Sequence, residues 1–153
     1  MSPKGGIKPH KKFSIQANRS EVLFVDYILE HLNAVGGRAW IIVPEGIMYN
    51  KQNAHTQLRK MMINKNWLYA VVSLPSGIFK PYASVKTNVL LIDNKLSKKS
   101  TSILFIDVNN DGYSLSDTRK PILENDLPKC YETISRFKYS IDNESLFTLS
   151  EDE

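Results

Sequence analysis

The sequence contains a single cysteine, Cys130, among 153 residues. One thiol cannot form a disulfide framework, so an oxidising compartment is not indicated. The three histidines, His10, His31 and His55, lie far apart and have no cysteine beside them, so no metal site is expected. No apolar run approaches the ~20 residues that a membrane span needs, and the N-terminus lacks a signal-peptide core. A cytoplasmic protein without membrane contact is the expectation. Glycine is sparse and badly placed for nucleotide binding. Gly5-Gly6 precedes any expected strand and Gly36-Gly37 closes an expected helix, so no Gly-rich strand-to-helix turn can cradle a phosphate. A nucleophile elbow built on Ser or Cys is also missing. Asp107 and Asp111 bracket "VNN" without a downstream glutamate at the offset a calcium loop needs, so this segment reads as a strand end plus a turn through Asp111-Gly112. No repeat or low-complexity tract interrupts the chain.

What is there suits one compact domain. The hydrophobic fraction of 42% is enough for a core, and the charged fraction of 24% is ordinary. The formal net charge of +4 is compatible with an anionic partner, but on charge alone an ordinary solubilising surface is the preferred reading. Residues 1–19 are rich in Gly, Pro and Lys and read as a basic N-terminal arm, in which His10, Lys11 and Lys12 could touch phosphate. A helix follows in "SEVLFVDYILEHLNAVGG". Ser20 stands as its N-cap, Val22, Val25, Ile28, Leu29 and Leu32 form its apolar face, and Gly36-Gly37 forms its stop. "RAWIIVPEG" is continuously apolar from Ala39 to Val43, the pattern of a strand covered on both faces.

A second helix carries Ala54, Leu58, Met61 and Met62, and "WLYAVVSL" is a strand. "TNVLLI" and "ILFIDV" are two more strands, with "DNKLSKKSTS" as a lysine-rich hairpin loop between them. Asp126 and Pro128 open a short helix to about Phe137. Residues 20–138 thus form the α/β domain, and 139–153 an acidic, flexible tail. Helix–strand alternation argues for layered α/β architecture, and the short later links argue for antiparallel strands at one edge of a parallel sheet.

One stretch stands apart. "LPSGIFKPYASVKTNVLLI" (74–92) holds a single aromatic, Phe79, on a loop between two strands, with Lys80 and Lys86 beside it. It also completes an ordered set: a helix ending in "GGR", a strand closed by "VPEG", a helix with "LRK", the "VVSLPSGIF" strand and turn, and the "VKTNVLLI" strand. The set, over roughly residues 13–128, resembles the modification subunit of type I restriction-modification systems, S-adenosylmethionine-dependent N6-adenine DNA methyltransferases. The resemblance implies a partial Rossmann-like methyltransferase sheet, parallel strands with an antiparallel terminal hairpin, whose last strand slots between its two predecessors.

It also implies what is missing. The family's cofactor loop and its Asn-Pro-Pro-(Phe/Tyr) tetrapeptide lie upstream of the helix that begins here at Ser20, and no Asn-Pro dipeptide occurs in the sequence. The chain therefore resembles the C-terminal half of such a domain, with no catalytic residue of its own. S-adenosylmethionine serves the full family domain and is not expected to bind this chain alone.

By the same resemblance Phe79 would stack on a flipped target base, with Tyr82 as a second ring. Lys80 and Lys86 would contact phosphate, and Lys95, Lys98 and Lys99 form a basic tip that could meet DNA. Pro44 and Glu45 close a strand at its C-terminal end, where ligands collect in open α/β sheets. Each assignment has a plainer alternative: Phe79 plugging the core under its loop, Pro44 and Glu45 terminating a strand, and the lysines forming solvated loops. The functional expectations are a base-holding half of a DNA methyltransferase, inactive without its complement, or a non-catalytic DNA-binding or subunit-interaction module. Expected partners are DNA, the missing N-terminal half, a specificity subunit, or a second copy docked along an exposed sheet edge.

Overall fold

The computed structural model describes residue 11 and residues 13–147, with side chains through residue 143. His10 and Lys12, and the tail beyond 147, lie outside the described residues. The order of elements is α1 (Ser20–His31), β1 (Arg38–Pro44), α2 (Gly46–Tyr49), α3 (Asn53–Asn64), β2 (Leu68–Ser73), β3 (Thr87–Asp93), β4 (Leu104–Asp107), β5 (Asp111–Tyr113), β6 (Pro121–Asn125) and α4 (Leu127–Phe147).

The main sheet has four strands in the order β1-β3-β2-β4, and β5-β6 forms a separate pair. β3 is antiparallel to both neighbours, with Ile41 opposite Leu90 on one side and Val71 opposite Leu90 on the other. β2 and β4 are parallel, with Val71 opposite Phe105. The expected insertion of the third strand between its two predecessors is therefore present. The expected hairpin from "TNVLLI" to "ILFIDV" is not, because β2 separates β3 from β4. "DNKLSKKSTS" is instead a string of turns held by Asp93. One carboxylate oxygen of Asp93 accepts the Lys95 and Leu96 N–H groups at 3.0 and 2.9 Å, and the other meets Arg38 Nε at 2.8 Å.

Two cores sandwich the sheet. On one face Val22, Val25 and Leu29 of α1 and Leu58 and Met62 of α3 pack against Val43, Val71, Leu90 and Ile92. On the other, Cys130, Ile134, Phe137 and Ile141, spaced 4, 3 and 4 along α4, cover Ala70, Val72, Leu91 and Ile106. This spacing continues past Phe137, so α4 runs to Phe147 and absorbs the first part of the segment expected to fray as a tail.

Several local expectations change. α1 is capped at Arg19 without a side-chain bond, and Ser20 Oγ reaches Glu21 instead, at 3.5 Å. The helix ends at His31, and Gly36 (φ +83°) serves the turn into β1. Asp111-Gly112 is not a turn. It starts β5, with Gly112 at φ +83° where the β5–β6 register shifts, a bulge that favours glycine. β1 is covered on one face only: Trp40 is 71% and Ile42 56% exposed. Nor is the arm wholly free, since Ile15 and Ala17 are buried in the first core. Among the described residues no helix is long and apolar enough to cross a membrane, and no cluster of three potential ligands could hold a metal.

Asp26 pins that arm. It is fully buried, and Oδ2 accepts the Ile15 N–H at 3.1 Å while Oδ1 has no partner. Burial raises its pKa above the ordinary 3.8, outweighing the Ile15 N–H that lowers it. The folded state therefore holds this proton more tightly than the unfolded chain, and the stability so gained is complete below the unfolded pKa and lost as pH rises through the folded one. Asp26→Asn, which keeps the acceptor without the charge, should be more stable than wild type to urea at neutral pH, with the gap closing as pH falls towards 3.8. A midpoint difference that is independent of pH would contradict this.

Asp126 behaves oppositely. Its Oδ2 accepts the Asn110 and Asn109 N–H groups at 2.8 and 2.9 Å just ahead of α4, and these bonds lower its pKa. Stability from this group is present above the unfolded value and lost as pH falls through the lowered folded value. Asp126→Ala should therefore melt earlier than wild type at neutral pH, and the two melting curves should converge in acid.

Candidate nucleic-acid interface

β1, β2 and β4 all point the same way, so Pro44-Glu45 and Ser73-Leu74 emerge at one end of the sheet, beside the start of β3. The ladder stays closed up to that end: Glu45 N–H donates to Lys86 O at 3.0 Å and Leu74 N–H to Thr87 O at 2.9 Å. Between these anchors runs the loop 75–86. Gly77 (φ +84°) makes its first turn, and Lys80 N–H donates back to Gly77 O at 3.1 Å. Gly77 takes a backbone conformation that disfavours side chains, and a Cβ there would also meet Lys80 Cε at 3.2 Å. Tyr82 and Ala83 then donate to Phe79 O at 2.9 and 3.0 Å, closing the loop around the aromatic. The Lys80–Pro81 peptide bond within it is cis.

Of the aromatic pair, Tyr82 is 95% exposed and Phe79 is half-buried. Phe79 belongs to neither core cluster; its neighbour Ile78 packs against the second one. The plug under the loop is thus Ile78. Lys86 Nζ lies 3.6 Å from Glu45 Oε1, bringing those two sequence candidates together with Pro44 and the Phe79 loop. Lys80 Nζ pairs with Asp117 at 3.3 Å. Both pairs are partly exposed, and such pairs contribute about 0–1 kcal/mol, so either lysine could exchange its carboxylate for a phosphate at little cost.

Lys95, Lys98 and Lys99 lie elsewhere. The whole of β3 separates them from Lys86, and at about 3.3 Å per residue that is roughly 20 Å, at the opposite end of the sheet. Lys99 pairs with Asp142 of α4 at 3.0 Å. The five lysines therefore do not make one footprint.

Two residues at the interface escaped the sequence. Arg119, from the β5–β6 loop, donates to Gly77 O at 3.4 Å and to Asp111, and its guanidinium lies 5.6 Å from the Tyr113 ring centre. Asp117, from the same loop, holds Lys80. The available signal was "DGYSLSDTRKPILEN", two short runs around a polar turn, which reads as a hairpin once Asp111-Gly112 is allowed to start a strand.

A family model described as N-6 DNA Methylase matches residues 7–151. Among curated proteins, the chain is 33% identical over 85 residues to the type I restriction enzyme EcoEI methylase subunit of Escherichia coli, covering 56% of this chain and 17% of that one. It is 32% identical over 94 residues to the MpnII methylase subunit of Mycoplasma pneumoniae, covering 61% and 17%. The chain thus spans about a sixth of the length of these relatives. Among solved structures, a modification subunit of a putative type I restriction enzyme from Vibrio vulnificus superposes with a TM-score of 0.64 at 21% identity, over 86% of this chain and 29% of that one. A structure concerned with complex assembly and conformational transition of the type I restriction-modification system gives 0.60 at 24% identity, over 86% and 27%. These likenesses carry the mixed sheet and its helices, and the match over residues 7–151 carries the assignment: the chain belongs to the N-6 DNA methylase family.

Proposed function

We propose that this chain is the base-holding part of a type I restriction-modification DNA adenine methyltransferase, stacking an extruded adenine on Phe79. One observation carries this: a half-buried aromatic that packs in neither core, on a hydrogen-bonded loop at the C-terminal end of β1 and β2. Ligands of open α/β sheets collect at such ends. Stacking contributes on the order of 1–3 kcal/mol per base, more than either flanking lysine offers through a single exposed pair. Phe79 would therefore hold the base without reading its identity, while Lys80 and Lys86 hold the phosphates on either side of it. Tyr82 can add a second ring. Lys95, Lys98 and Lys99, at the far end of the sheet, would at most meet a separate stretch of DNA.

The turn after β1 offers S-adenosylmethionine little: Glu45-Gly46 is not a Gly-rich strand-to-helix turn, and the helix it opens has only four residues. Methyl transfer would require a complementing part that supplies the cofactor and the groups that activate the adenine amine. The cell's cytoplasm, where its DNA target lies, is the proposed location.

A second reading, a subunit-interaction module, is favoured by β1. The bonds Glu45–Lys86 and Asn94–Gly37, with the register between them, direct the peptide groups of residues 37, 39, 41, 43 and 45 towards β3. Those of Arg38, Trp40 and Ile42, and the Pro44 carbonyl, face the open edge, next to the exposed Trp40 and Ile42 side chains. A complementing methyltransferase half, a specificity subunit or a second copy could add a strand there.

With S-adenosylmethionine and adenine-rich duplex DNA the chain alone should transfer no methyl groups, and clear turnover would refute the proposal. In a DNA titration, Lys86→Gln should weaken binding similarly for all sequences and reduce the salt slope by about one, while leaving stability within ~1 kcal/mol of wild type. Light scattering over a concentration series tests the second reading: a monomer at every concentration, with no capture of a complementing half, would remove it.

A further inference from the structure

The loop that carries Phe79 is tied from outside by the β5–β6 hairpin, at two points that bracket the aromatic. Arg119 Nη1 donates to the Gly77 carbonyl at 3.4 Å, and Asp117 Oδ1 meets Lys80 Nζ at 3.3 Å. Phe79 lies between residues 77 and 80. The hairpin end is itself stiff: Ser114 N–H donates to Lys120 O at 2.8 Å, Arg119 N–H to Ser116 O at 3.1 Å, and Lys120 N–H to Ser114 Oγ at 3.0 Å.

Arg119 is unlike a surface arginine. Its side chain is only 17% exposed, its backbone takes a left-handed φ of +46°, and its other guanidinium nitrogen bonds the buried carboxylate of Asp111. A guanidinium with this few open directions is ill suited to a phosphate. With its guanidinium 5.6 Å from the Tyr113 ring centre, it presents a donor to one backbone oxygen. Non-glycine residues at positive φ concentrate where structure is held for a purpose.

We propose that Arg119, anchored by Asp111, is a positioning residue that presets the Phe79 loop for base stacking, with the Asp117–Lys80 pair as its second tether. This rests on the proposed role of Phe79. Its physical basis is preorganisation: a loop fixed before binding loses less conformational freedom when a base arrives. The sheet ladder alone ends at Glu45–Lys86 and Leu74–Thr87, so without the hairpin residues 75–85 would depend on their internal turns and on the packing of Ile78.

The test uses the full chain and a single-stranded oligonucleotide containing 2-aminopurine, a fluorescent adenine analogue whose emission falls on stacking. Phe79→Ala should abolish the quench. Arg119→Ala should weaken binding by about three- to tenfold without changing the salt slope, and Arg119→Lys, which keeps the charge but loses the planar fork, should not restore it. Amide exchange at residues 78–83 should speed up in Arg119→Ala while β2 and β3 stay protected. Unchanged exchange there would overturn the tether, whatever Phe79 does. A salt slope that falls by about one would make Arg119 a phosphate contact and equally overturn it. A quench that survives Phe79→Ala refutes the stacking role and leaves the exchange result to judge the tether. Should Arg119→Ala unfold the hairpin, Asp117→Ala carries the test, because it removes only the outer tether. Loop exchange at the wild-type rate in that variant would then count against the proposal.

Discussion

Strand β3, inserted antiparallel between β1 and β2, is the arrangement on which the rest of the interface depends. Its first residues meet the last residues of both neighbours, so the segment from Leu74 to Lys86 must leave the sheet and return within one strand's width. The two ends of the loop are thereby fixed at the C-terminal end of β1 and β2, and the β5–β6 hairpin ties its middle. The same insertion makes β1 an edge. It also puts the turns after β3 at the far end of the sheet, which divides the lysines into two groups that cannot act together.

Energies at this interface rank clearly. The exposed pairs Lys86–Glu45 and Lys80–Asp117 are each worth about 0–1 kcal/mol, and a stacked base on the order of 1–3 kcal/mol. Neither is large beside the core that holds the strands, in which burial of a single Leu or Ile contributes about 1.5–3 kcal/mol. The scaffold can therefore tolerate changes at the exposed side chains of the loop. Asp26 shows the opposite economy: a buried carboxylate with one unpartnered oxygen is retained at some cost while it fastens Ile15 to the first core.

The hairpin β5–β6 connects scaffold to interface. Gly112 permits its bulge, the bulge accompanies a buried Asp111, and Asp111 holds Arg119 against the Gly77 carbonyl. Local backbone chemistry in one small sheet thereby bears on a loop more than thirty residues earlier in the chain. The cysteine plays no part in this. Cys130 is buried against the second core, and burial pushes its thiol pKa up, so it acts as a small apolar side chain.

The sequence by itself determined the elements whose pattern is local. The apolar face of α1 through Val22, Val25 and Leu29, the run of α3 through Leu58 and Met62, and the three strands around the Phe79 loop all follow from periodicity and turn residues. The ordered motifs also singled out Phe79, Lys86, Pro44 and Glu45, each in its own segment. What the tertiary structure decided is which faces are covered and which ends meet. A continuous apolar run such as Ala39 to Val43 reads the same in an edge strand as in a central one, so only the strand order exposes Trp40 and Ile42. Likewise β4 pairs with β2 rather than with β3, because pairing is fixed by packing across the sheet and not by closeness in sequence. Arg119 reaches Gly77 through a contact spanning 42 residues, and no local pattern encodes a contact of that range.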